Sequence, residues 1–134
     1  MHCAKVLGIA ISALGPLSSE LQDLAQARAW YQRSAAARNP KGLASFGDCL
    51  LKGWGGPEDI VFGIVNVMEA AGLGSDFAAC NLGGGFFQGS WGLPKDPVRA
   101  RYWLKKVVDG ECAHKHLNEE WKAISAGWLR ELDD

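Results

Sequence analysis

Residues 54–59, Trp-Gly-Gly-Pro-Glu-Asp, return at 91–96 as Trp-Gly-Leu-Pro-Lys-Asp, 37 positions later. Each copy is preceded by a glycine, Gly53 and Gly89, placed where a helix ends in a left-handed residue, and each carries a proline soon after, where no helix continues. Asp59 and Asp96 then stand where a carboxylate accepts hydrogen bonds from the free amides of a new helix. The stretch therefore reads as a helix-turn-helix joint used twice, and its aspartates are caps before they are anything catalytic.

The copies extend in both directions. Downstream, Gly63 stands four residues after Asp59 as Ala100 stands four after Asp96, and the helices run on through Met68, Glu69, Ala70 and Ala71 in one copy and Trp103, Leu104, Lys105 and Lys106 in the other. Moving the frame back by 36 finds Asp23, Ala27, Trp30, Tyr31, Arg33 and Ala35, with Asp23 in the capping slot. Upstream, Phe46 and Gly47 correspond to Leu82 and Gly83, and Leu7 and Gly8 are a worn copy. Ala100, Trp103, Leu104 and Val107 fall at spacings of three and four, one apolar stripe of a helix. A single such hairpin cannot bury its own apolar face, so units must stack. The expected fold is an all-α solenoid of antiparallel helix pairs in one domain, 1–134. Its repeat units cover about 1–37, 38–73 and 74–110, with a capping helix over about 115–132 carrying Leu117, Trp121, Ile124, Trp128 and Leu132.

These units resemble the Sel-one-like repeat (SLR), a relative of the tetratricopeptide repeat. The resemblance covers about residues 20–110 and rests on Asn81, Leu82, Gly83, Phe86, Gly89, Pro94, Lys95, Asp96, Ala100, Trp103 and Lys106, with Trp30, Tyr31, Arg33 and Ala35 repeating its Trp-Tyr ending. It implies a right-handed superhelix whose first helices line a concave face that holds a partner, and no catalytic residues as a rule. The middle unit departs from the pattern at Gly63, Asn66 and Val67. Gly84 and Gly85 also stand inside a first helix, at up to about 1 kcal/mol each relative to Ala.

Composition closes other routes. Apolar residues are 48% and charged residues 22%, ordinary globular usage, and a net charge of −1 lacks the basic face of a nucleic-acid reader. No later stretch is apolar for long enough to span a membrane. The run Val6–Leu14 after Lys5 is either the first helix of a repeat or the core of a secretory signal. Cys3, Cys49, Cys80 and Cys112 form no CxxC pair and read as reduced hydrophobes, which favours the cytoplasm.

Cys112, His114 and His116 are metal-ligand types, but residues two apart point away from each other on a helix, so no metal is expected. Gly83, Gly84 and Gly85 follow no strand and lack a Gly-Lys-Ser/Thr ending, so no nucleotide site is expected either. Trp30 and Trp103 read as core, Trp121 and Trp128 as seals on the last unit, and Trp54 and Trp91 as turn residues that either pack or meet a partner. No cofactor, small-molecule substrate, nucleic acid or membrane partner is expected.

What remains is a non-enzymatic interaction module that binds another protein or peptide. Its candidate concave-face residues are Asp48, Cys49 and Lys52 in one unit and Gly85, Phe87 and Gln88 in the next. Phe86 fills the inward aromatic slot, leaving Phe87 either as an exposed hot spot or packed on the adjoining unit. Two alternatives stand beside this reading. One is a secreted cysteine-containing repeat protein acting on β-lactams, opposed by the unpaired cysteines. The other is a structural segment of a larger solenoid.

Overall fold

The structure is a computed structural model that describes residues 19–134, so the two readings of Val6–Leu14, and Cys3, lie outside the described residues. Six helices occupy the described residues: α1 Ser19–Ala36, α2 Pro40–Lys52, α3 Ile60–Gly72, α4 Asp76–Gln88, α5 Pro97–Val108 and α6 Glu119–Asp133. The only pairing of strand type among them is an isolated bridge between Ser75 and His114. The fold class is all-α, built from helical hairpins. The chain divides into two compact units, Met1–Asn66 and Val67–Asp134.

In the first unit α1 and α2 pack together. Asn39 caps α2 by accepting from the amides of Lys41 and Gly42 through Oδ1, and Pro40 fills the first helical position, where no amide is needed. Leu43, Ala44, Phe46, Leu50 and Leu51 of α2 and Ala35 of α1 are buried. Asp23 lies inside α1 rather than at its start, so the expected cap at that position is corrected. Trp30 is also corrected from core to surface: it is 65% exposed, with the Arg33 guanidinium 5.0 Å over its ring. The buried and half-buried positions of α1 are Leu24, Ala25, Ala27, Arg28, Tyr31, Ser34 and Ala35, and Trp30 lies at the edge of that stripe, where occupying the slot of the repeat does not by itself bury the ring.

In the second unit, α4 and α5 form the hairpin and α6 closes it. Ala79, Cys80, Val107, Cys112 and Leu117 make a buried cluster, with Phe77, Trp103, Trp121 and Trp128 packed against it. Here the tryptophan slot is covered, since Trp103 meets this cluster. The last helix starts at Glu119, later than its apolar spacing suggests, because Asn118 accepts from the Trp121 amide and caps it there. Leu117 is buried but precedes the helix.

The two joints are built alike. Gly53 and Gly89 take left-handed φ values of 72° and 71°. Their amides donate to the carbonyls of Cys49 and Gly85, and the next residues, Trp54 and Ser90, donate to the same two carbonyls. Each hairpin is then closed by one further bond, Asp59 N to Leu50 O at 2.9 Å and Asp96 N to Phe86 O at 3.0 Å. The second joint is one residue longer between its glycine and its aspartate, which is why the sequence offset changes from 36 to 37 across it. Both carboxylates cap as expected, Asp59 through Phe62 N and Asp96 through Val98 N and Arg99 N.

Candidate functional site

Each predicted site residue has a definite local setting. On α2, Asp48 and Lys52 form an ion pair at 2.6 Å, one helical turn apart and both half-buried. Cys49, expected at an exposed position, is buried. It follows Asp48 on the helix and so turns to the core side, where burial foremost and the Asp48 carboxylate next push its thiol up to about 11. A thiol held there stays protonated and is a poor nucleophile at neutral pH.

On α4, Gly85 is likewise buried rather than exposed, because the Trp91 ring and Leu93 of the following joint fold back over it. Phe87 is half-buried and packs on Trp128 with ring centroids 5.7 Å apart, which selects packing over the exposed hot spot. Gln88 is exposed, and its Oε1 accepts from the Ser90 hydroxyl. Of the candidate residues, Asp48 and Lys52 in the first unit, and separately Gln88 with an edge of Phe87 in the second, keep some exposure. Both turn tryptophans are half-buried: Trp54 holds Arg28 through its carbonyl at 3.4 Å, and Trp91 lies against α4.

One polar cluster has no clear trace in the sequence. Ser75 and Asp76, at the start of α4, clasp the segment that leads from α5 to α6. Asp76 Oδ1 accepts from the amides of both His116 and Leu117, at 2.9 and 3.0 Å. Ser75 Oγ accepts from Ala78 N and lies 3.1 Å from His116 Nε2. Phe77 stacks on the His116 ring, and backbone bonds join His114 to Gly74 and Asp76. A serine, histidine and aspartate therefore meet, but their geometry is that of a fastener. Ser75 is fully buried and engaged as a cap, and Oδ1 of the carboxylate is taken up by two backbone amides. The local signal was limited to a Ser-Asp pair at a helix start, and nothing in it gives the long-range partner.

Cys112, His114 and His116 lie on this extended segment, with Cys112 buried and His114 exposed. Burial, and after it the Asp76 carboxylate, raise the Cys112 thiol above its ordinary range. Among the described residues no group of three or more His, Cys, Asp or Glu side chains converges as a metal set would. No helix among them is long and apolar enough to cross a membrane.

Two segments, residues 14–39 and 76–107, match the family model of the Sel1 repeat. The second spans α4 and all of α5 but its last residue. None of the curated proteins searched matches the chain. Among solved structures, a protective antigen present in uropathogenic Escherichia coli strains and displaying an SLR fold aligns over 97% of this chain, with a TM-score of 0.58 and 24% sequence identity. The chain spans 29% of that protein's length. That likeness bears on the fold.

Proposed function

From a chain that carries Sel1 repeats on an SLR fold, we propose a non-enzymatic protein-interaction module, an adaptor that seats a protein or peptide partner on partly exposed positions of its first helices. Repeat folds of this type generally serve as scaffolds. The observation that supports the reading most is the paired joint. The same glycine, carbonyl and aspartate bonds recur in α2–α3 and α4–α5, so these residues are occupied in holding hairpins. Positions that differ between hairpins are left to discriminate a partner: Asp48 and Lys52 on α2, Gln88 and the edge of Phe87 on α4.

Among the described residues, Cys49, Cys80 and Cys112 are buried thiols not joined in disulfides, which supports a reducing compartment such as the cytoplasm and speaks against the disulfide-rich, β-lactam-processing relatives. The length of the SLR antigen supports a second reading, that this chain acts as one stretch of a longer array. Affinity capture of the folded chain from its native cells, followed by crosslinking, tests the proposal. A partner that crosslinks at Lys52 and loses affinity on Lys52→Glu supports it. A folded chain that retains no protein, or whose binding ignores both Lys52 and Gln88, contradicts it.

A further inference from the structure

The last helix of the second unit is far less covered than α2 or α4. Eight residues of α2 and nine of α4 are buried, against Ser125 alone in α6. Along one side α6 packs on α4 and α5. Along another, Ile124, Gly127 and Trp128 stay half-buried at helical spacings of three and four, and an open groove of about 640 Å³ runs beside them to the end of the helix. Trp128 is a firm wall for it, since the ring is backed by Phe87 at 5.7 Å and by the bare backbone of Gly84.

Gly127 stands inside the helix, where glycine is a weaker helix former than alanine. Within the other helices Gly42, Gly63, Gly83, Gly84 and Gly85 each admit a neighbour that would lie 3.0 Å or less from a Cβ. A Cβ on Gly127 would meet only the Arg130 guanidinium, at 3.8 Å. Gly83 shows what such a slot receives: the side chain of Leu104, from the second helix of its hairpin. The slot at Gly127 allows a helix the same close approach, and none of the described residues uses it.

The rim sets the sign of the occupant. Glu131 and Asp134 are exposed beside the groove, Glu120 lies one turn before Ile124, and these three take part in none of the ion pairs among the described residues. Asp133 is matched by Arg101 at 2.9 Å and Glu119 by Lys122 at 3.1 Å, which leaves Arg130 as the base on the rim. Three carboxylates against one guanidinium favour a partner with bases beside its apolar stripe, and a second copy of α6 would set acids against acids. The helix that fills the slot of α4 has the favoured composition: α5 carries Arg99, Arg101, Lys105 and Lys106 and no acid.

We propose that the groove along α6, centred on Gly127 and Trp128, receives a helix of another protein that lays an aliphatic side chain over Gly127 and turns lysine or arginine toward Glu131 and Asp134. This rests on the interaction-module reading and gives it a surface within the second unit.

The test uses the full chain and two fluorescein-labelled synthetic helices of about 18 residues, one of Leu and Lys and one of Leu and Glu with the same apolar spacing. Anisotropy titration should show saturable binding of the Leu/Lys helix and none of the Leu/Glu helix. Gly127→Gln, which fills the slot, and Glu131→Lys, which reverses the rim, should each keep the wild-type circular dichroism and weaken that binding about tenfold or more. Gly127→Ala should melt higher by about 2–4 °C, because its methyl meets open space, and should still bind less tightly.

A Leu/Lys helix that fails to bind, or binds no better than the Leu/Glu helix, overturns the proposal. So does binding that ignores both Gly127→Gln and Glu131→Lys, or a Gly127→Ala variant that melts below the wild type, which would mean that the slot is already filled. A wild-type dimer in sedimentation that Gly127→Gln dissolves overturns it in favour of a second copy. A native partner that still binds Gly127→Gln and Glu131→Lys but not Lys52→Glu would sink this surface while leaving the interaction-module reading in place.

Discussion

Replacing Gly83 by alanine should destabilise the protein, although it puts the best helix former in place of one of the worst. The substitution gains up to about 1 kcal/mol of helix propensity. Against that, a Cβ at Gly83 would stand 2.7 Å from both Cγ and Cδ2 of Leu104 and 3.3 Å from the Leu104 backbone nitrogen. Leu104 is fully buried, so its side chain has nowhere to swing and α5 must move away as a body. Overpacking costs about 1–3 kcal/mol, and a clash this short with a fully buried side chain falls at about 2–3 kcal/mol, leaving a net loss of about 1–2 kcal/mol and a melting temperature lower by about 5 °C. Gly72 supplies the internal control. It ends α3 in an exposed position, and a Cβ there would meet nothing within 4 Å. Gly72→Ala should therefore be neutral or stabilising by up to about 1 kcal/mol. Urea denaturation of the three proteins, with equal m-values confirming a common two-state transition, measures both signs. A Gly83→Ala variant as stable as the wild type would refute the close approach of α4 and α5.

Three further outcomes follow from the site geometry. Asp76→Ala should cost about 2–4 kcal/mol, because one buried and one part-buried amide lose their carboxylate acceptor, and amide exchange should accelerate at His116 and Leu117; Asp76→Asn, which keeps an oxygen there, should recover part of the loss. Native protein at pH 8 should leave Cys49 unmodified by Ellman's reagent until denaturant is added, since the thiol is buried and burial pushes it up to about 11. Asp96 is held below the ordinary carboxylate range by the Arg99 backbone amide and guanidinium, so its contribution is present above that range and is lost as pH falls through its folded value. Asp96→Asn should remove that part of the acid-side slope in a pH series of melting temperatures. At the alkaline end, Lys105 is raised by its hydrogen bond to Asp109 and contributes until pH rises through the raised value.

The joints were legible in the sequence because their causes are local. Gly53, Gly89, Asp59 and Asp96 act on residues within a few positions of themselves, so residue type and spacing suffice to place them. Trp30 reads as core in the sequence because the repeat pattern assigns it the slot of Trp103, whereas burial depends on what covers the slot: Trp103 packs on a buried cluster and Trp30 is 65% exposed. The same limit governed the site. Cys49 and Gly85 were placed at exposed helical positions by counting, but their exposure is decided by core packing and by a turn folding back. Gly84 looked like a weak point and is instead where Trp128 of α6 comes close, 2.7 Å from the position a Cβ would occupy. The Asp76 clasp joins residues 40 and 41 positions apart, beyond any local pattern.

The central claim, that this chain works by binding another protein, is tested most directly by reconstituting it with a partner captured from its native cells and titrating the purified pair calorimetrically. The account predicts saturable binding of one partner per chain, with the negative heat-capacity change of apolar burial. Heats that never saturate with any captured protein, from a chain whose circular dichroism is fully helical, would contradict it.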